Sequence, residues 1–116
     1  MNTTHNIDTA ALFSRIIAAE SAAVASIPAS QGYGQALRLI LERVHRRHGK
    51  LVVSGMGKCG QIAMNIATTF CSTGTPAVFL HPAEAQHGDL GIIQKNDLLL
   101  LLSNSVSYTH LTAADE

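Results

Sequence analysis

The 116-residue chain has no tryptophan, two tyrosines, three phenylalanines, three prolines and two cysteines, and no excess charge of either sign, with eight Lys and Arg against eight Asp and Glu. Each scarcity excludes something. Cys59 and Cys71 form no Cys-x-x-Cys pair, so neither a disulfide framework nor a zinc site is expected, and a reducing cytoplasm fits. A balanced charge leaves no nucleic-acid footprint. The one basic run, Arg46, Arg47, His48 and Lys50, falls where a helix should end, and cations there complement the helix dipole. No apolar run is long enough to span a bilayer. Ala22 to Ser26 looks faintly like a signal cleavage site, but Asp8, Arg15 and Glu20 precede it in place of a continuous apolar run, so no signal peptide is expected. Internal repeats and low-complexity linkers are absent, and the length suits one small domain.

Apolar residues make up 47% of the chain, enough to build a core and to argue against disorder. Residues 8–27 read as a helix capped by Asp8 or Thr9, with Leu12, Ile16, Ala19, Ala23 and Ile27 at helical spacing and Pro28 ending it. A loop to Gly34 follows. A second helix is expected from about Tyr33 to His48 on Leu37, Ile40, Leu41 and Val44, with Gly49 as its stop. The pattern then changes. Three short apolar runs, Leu51–Ser54, Pro76–Leu80 and Asp97–Leu102, suit strands buried on both faces of a parallel sheet. Between the first two, a helix carrying Ile62, Ile66 and Phe70 on one face closes at Gly74. Strand, helix, strand and a further strand is the start of a doubly wound α/β sheet.

The chemistry-bearing residues cluster after the strands. Gly55-x-Gly57-x-x-Gly60 stands between a strand and a helix, where glycines let a phosphate reach backbone N–H groups. A nicotinamide cofactor would need an acidic residue near Leu80-His81, and there is none. The loop also lacks the Gly-Lys-Ser/Thr ending of a Walker A sequence. A ligand-free tight turn is the plainer alternative. Lys58, inside the turn, could pair with a sugar phosphate or polarise a carbonyl, or be a solvated surface lysine. Cys59 reads best as a small residue fitting the turn, with a weak donor for a ligand oxygen. Ser72-Thr73-Gly74-Thr75-Pro76 could bind a sugar or simply cap a helix. His81, Glu84, His87 and Asp89 suggest proton transfer or metal ligation, or a hydrogen-bonded loop; the i, i+3, i+6 spacing is poor for a shared metal. Ser103-Asn104-Ser105 offers small polar groups at a strand end.

Taken together, Gly55-Met-Gly-Lys-Cys-Gly60, Ala67-Thr-Thr-Phe70, Ser72-Thr-Gly-Thr-Pro76, His81-Pro-Ala-Glu-Ala-Gln-His-Gly-Asp-Leu-Gly91 and Ser103-Asn-Ser105 resemble the arabinose-5-phosphate isomerase family of sugar isomerase (SIS) domains, over roughly residues 49–105. The resemblance implies an α/β fold, a three-layer αβα arrangement with a parallel sheet, here incomplete and preceded by two N-terminal helices. The expected division is a helical segment over 1–48, the amino-terminal half of the SIS domain over 49–105, and a tail over 106–116 that is not native family sequence. Implied too is aldose–ketose isomerisation of D-arabinose 5-phosphate and D-ribulose 5-phosphate through an enediol, supplying the lipopolysaccharide sugar Kdo.

By motif matching, the resemblance makes Lys58 the catalytic lysine. It places Gly74, Thr75 and His87 at the substrate, with Cys59, Ser103 and Ser105 beside it, and gives His81 a metal position. It implies no required cofactor, zinc at His81 being incidental or inhibitory. A sugar-phosphate substrate and a homo-oligomeric parent, a tetramer, are implied, with no nucleic-acid or membrane partner. The pattern departs from the family at Cys59, where serine is usual. It departs again after Ser105, where the family continues Gly-Glu-Ser-x-Glu and this chain has Ser107 and His110 at the glutamate positions. The chain itself is therefore expected to be an inactive fragment of an active parent. Two other readings remain: an SIS module that senses a sugar phosphate, and a fragment with no function of its own.

Overall fold

A computed structural model describes residues 6–104. The chain divides into two units, residues 1–33 and 34–116. In the first, helix α1 (Thr9–Ala25) starts where the Asp8 carboxylate accepts the Ala11 N–H at 3.0 Å, as the cap reading expects. None of its residues is buried, and Leu12 and Ile16 of the apolar stripe are exposed. Helical spacing fixes which side chains share a face, not what covers them. No helix among the described residues is long and apolar enough to cross a membrane.

Helix α2 (Gln31–Ile40) does not continue as an α-helix to His48. It widens into a π-helical turn, Leu41–Arg46, which carries the buried Val44. Arg46 and Arg47 both bond to Glu42 at 2.9 Å. The left-handed residue that ends this segment is His48, at φ 57°, one place before the expected stop. Gly49 is needed for another reason: a Cβ there would lie 2.2 Å from the Asn96 carbonyl oxygen.

The sheet has three parallel strands, β1 (Leu51–Gly55), β2 (Ala77–Phe79) and β3 (Leu98–Leu102), in the order β2-β1-β3. Helix α3 (Lys58–Ser72) connects β1 to β2, and the short α4 (Pro82–Gln86) with a 3₁₀ turn (Asp89–Ile92) connects β2 to β3. β1 is central and every residue of it is buried, Val52 and Val53 fully so. Complete burial of each such side chain stabilises the fold by about 1.5–3 kcal/mol. On one face Leu51 and Val53 pack with Ala63 and Ala67 of α3 and with Val44, and Ile66, Phe70, Phe79 and Leu98 fill in around them.

Two expectations change here. Ile62 does not face the core: the buried stripe of α3 is Gly60, Ala63 and Ala67, because small residues let the helix lie close to the sheet. The five leucines of β3 are not buried on both faces either, since β3 is an edge strand among the described residues and Leu101 is 69% exposed.

Lys50 also differs from its expected role. It does not serve a helix end; its Nζ meets Asp97 Oδ2 at 2.6 Å. The same carboxylate, 2% exposed, accepts the backbone N–H groups of Lys50 and Gln94. Asp97 thus joins the starts of β1 and β3. Burial pushes its carboxyl up, but the hydrogen bond from Lys50, the two backbone N–H groups and the lysine charge outweigh that and hold it below the ordinary aspartate value.

Candidate functional site

In the strand order β2-β1-β3 the chain leaves β1 toward one neighbour and later returns to its other side. The switch therefore lies between β1 and β3, and a crevice is expected outside their carboxyl ends. A cleft of about 410 Å³ occupies that place. The end of β1 and the turn after it contribute Gly55, Met56 and Cys59, the end of β3 and the residues after it contribute Leu102, Ser103 and Asn104, and the β2–β3 connection contributes Pro82, Ala85 and Ile93. Its floor is apolar, with Val52, Leu80 and Leu99, and Ser54 as a polar exception.

The glycine turn builds one wall. Gly57 has φ 58° and ψ −124°, a backbone that L side chains rarely adopt, and it caps α3 without a side-chain hydrogen bond. Gly60 permits contact: a Cβ there would lie 2.6 Å from the Gly55 carbonyl oxygen. Gly60→Ala is therefore expected to push α3 off β1 and destabilise the fold by about 1–3 kcal/mol. A thermal melt checks this, and an unchanged midpoint would contradict the close approach.

Lys58 is the first residue of α3 and is exposed; Cys59 is half-buried and lines the cleft. A cation thus coincides with the positive end of a 15-residue helix, next in sequence to Cys59 of the cleft lining, though Lys58 does not itself line the cleft. His81 and His87 flank α4 as its N-cap and C-cap. His81 Nδ1 accepts the Ala83 N–H at 3.1 Å, and the ring stands edge-on to Phe79. One nitrogen of His81 is therefore engaged. Among the described residues no group of three or more His, Cys, Asp or Glu could hold a metal ion.

Gly74 and Thr75 are not brought to this cleft. They follow the C-terminus of α3, and the helix places its two ends about 21 Å apart. In a parallel sheet the turn after a helix enters the next strand at the amino edge, opposite the cleft. There the turn does structural work. Ser72 and Thr73 donate to the Thr69 carbonyl, Gly74 takes φ 94°, and the buried Thr75 shares a 2.9 Å hydrogen bond with His45 Nε2. Of the remaining expected site residues, Ser103 lines the cleft and Ser105 lies outside the described residues.

Sequence reasoning passed over Ser54 and Asp97. Each had a signal: Ser54 is the only hydroxyl in the first apolar run, and Asp97 stands directly before five leucines.

Comparisons with known proteins follow this geometry. The SIS domain family model matches residues 43–114. The arabinose 5-phosphate isomerase KdsD of Pseudomonas aeruginosa is 46% identical over 109 residues, covering 92% of this chain and 32% of the relative. KdsD of Yersinia pestis is 61% identical over 64 residues, covering 55% of this chain and 20% of the relative. Among solved structures, a candidate phosphosugar isomerase involved in capsule formation from Bacteroides fragilis superposes with a TM-score of 0.81 at 57% identity, over 92% of this chain and 56% of that one. An E. coli CFT073 protein in complex with arabinose 5-phosphate gives a TM-score of 0.74 at 36% identity, over 97% of this chain and 57% of that one. This chain thus spans about a fifth to a third of these curated relatives.

Proposed function

The chain belongs to the SIS domain family, and from that premise we propose that it is part of a sugar-phosphate aldose–ketose isomerase that interconverts D-arabinose 5-phosphate and D-ribulose 5-phosphate. The observation that carries the reading is the start of α3, where Lys58 is the first residue, no side chain caps the helix, and the next residue, Cys59, lines the switch-point cleft. An anionic phosphate is stabilised there by the helix dipole and the ammonium group together. His87 is proposed as a substrate contact from the β2–β3 connection, with Cys59, Ser103 and Ser105 beside it. Gly74 and Thr75, at the opposite sheet edge, are left without a part in this chain's own cleft. The intact parent is proposed to work as a homo-oligomer on the route to Kdo.

Chemically, the conversion moves a hydrogen between neighbouring carbons. A base takes the proton from C2 of the aldose and the C1 carbonyl oxygen gains a proton to give the enediol; a proton is then delivered to C1 while the C2 hydroxyl gives up its own, which yields the ketose. Lys58 would stabilise the developing negative charge or hold the phosphate. No base is assigned in this chain, because Ser107 and His110 stand at the family's glutamate positions. Substrate binding with little turnover is therefore proposed for the chain itself. The boundaries 1–48, 49–105 and 106–116 belong to the same proposal.

Calorimetric titration of the purified chain with arabinose 5-phosphate is the test. Saturable binding is expected, weakened about tenfold or more by Lys58→Ala, the scale of losing a charge-assisted hydrogen bond. Binding that survives this substitution unchanged would sink the role given to Lys58. No binding by the unaltered chain would sink the reading for this chain.

A further inference from the structure

β1 is the most buried element of the sheet, and Ser54 is the one polar side chain in it. The residue is 7% exposed, and the two positions before it are fully buried valines. A hydroxyl in such a place is costly without a partner. Its partner is specific: Ser54 Oγ donates to the Leu80 carbonyl, 26 residues away in sequence. Leu80 is held from its other side too, where its N–H donates to the Val53 carbonyl at 2.9 Å. The paired register of β1 with β2 ends at Val53 and Phe79. Leu80 is therefore the last residue fastened to β1 before the chain departs, and the residue after it is His81.

We propose that Ser54 is a positioning residue: by holding the Leu80 carbonyl, it fixes where the chain leaves β2 and so sets the placement of the His81–His87 segment beside the cleft. From Leu80 the arrangement passes directly into α4. His81 caps the helix through Nδ1 to the Ala83 N–H, its carbonyl accepts the Ala85 N–H at 3.0 Å, and the Glu84 carbonyl accepts the His87 N–H at 3.0 Å. Pro82 and Ala85 of the same helix line the cleft together with Ser54 and Leu80. Since α4 is only five residues long, its own hydrogen bonds hold it weakly, and the attachment at Leu80 decides where it stands. The placement of α4 stands on this geometry alone. Its consequence for sugar-phosphate affinity rests on the function proposed above.

Hydrogen exchange of the 116-residue chain, unaltered and as Ser54→Ala, separates positioning from general stability. The Ala83, Ala85 and His87 amides are expected to exchange about tenfold faster in Ser54→Ala, the equivalent of one net hydrogen bond, with Val52 and Val53 of β1 little changed. Ser54→Thr, which keeps the hydroxyl, is expected to restore protection at α4. Uniform acceleration through β1 and α4, or no change at α4, overturns the proposal. Should Ser54→Ala not fold, Ser54→Cys keeps the size with a much weaker donor and is read in the same way. In parallel, arabinose 5-phosphate affinity is expected to fall about five- to tenfold in Ser54→Ala and to recover in Ser54→Thr. If the unaltered chain binds no arabinose 5-phosphate, the isomerase reading fails, while the exchange comparison still decides the role of Ser54.

Discussion

Asp97→Ala is expected to cost about 1.5–3 kcal/mol of folding stability, the scale of losing hydrogen bonds to a charged group in a part-buried ion pair. Against a total of about 5–15 kcal/mol for a small domain, that is a large share of the whole. The carboxylate is 2% exposed and meets three donors: Lys50 Nζ at 2.6 Å, the Lys50 N–H at 3.0 Å and the Gln94 N–H at 2.7 Å. Alanine takes this acceptor from all three at the point where β1 and β3 begin, and the partly exposed Lys50 ammonium turns to solvent. A urea titration followed by circular dichroism reads the loss directly. A change below about 1 kcal/mol, the scale of a surface pair, would mean that the pair does not join the strands.

The same carboxylate gives acid sensitivity with a definite sign. Its pKa is lowered in the fold, so as pH falls the unfolded chain takes up the proton first. The stabilisation from Asp97 is complete above the ordinary aspartate value, about 3.9, and disappears as pH drops through the lower folded value. Asp97→Asn should therefore be less stable at neutral pH and should lose less of its stability on acidification than the unaltered chain. Parallel acid limbs in the two proteins would contradict the assignment.

The second large effect is expected one residue away on each strand. A Cβ on Gly49 would sit 2.2 Å from the Asn96 carbonyl oxygen, 2.7 Å from its carbon and 2.9 Å from the Arg43 carbonyl oxygen. All three are backbone atoms, so no side chain can turn aside. Gly49→Ala must move the segment before β3 or the end of the π-helical turn, at a cost of about 3 kcal/mol or more. A thermal melt shows it, and an unshifted midpoint would mean that the two segments are not in contact. Because Gly49 and Lys50 face Asn96 and Asp97, Gly49→Ala and Asp97→Ala damage one junction, and the double variant should lose less than the sum.

The first unit poses a different problem. α1 carries Leu12, Phe13, Ile16 and Ile17 in its amino-terminal half and buries none of them. A helix of this length is marginal in water without a covered face. Its periodicity made the helix legible in the sequence, but periodicity does not say what covers the stripe.

What the sequence by itself determined is local. Asp8 as a cap, glycines at a strand-to-helix turn, the alternation of apolar runs with a helix, and the motif string from Gly55 to Ser103 are all read within a few residues of one another. Each follows from short-range sterics and hydrogen bonding, and each element stands within a few residues of its expected place. Tertiary structure alone decided what depends on which segments meet. That β1 is central while the leucine-rich β3 is an edge follows from strand order, which composition does not encode. Gly74 and Thr75 separate from Lys58 because the two ends of α3 lie at opposite edges of a parallel sheet. Lys50 reads as one member of a basic run until the fold brings Asp97 to it from 47 residues away, and Ser54 reads as the end of an apolar run until Leu80 arrives beside it. A buried polar group takes its meaning from its partner, and partners distant in sequence are chosen only when the chain closes on itself.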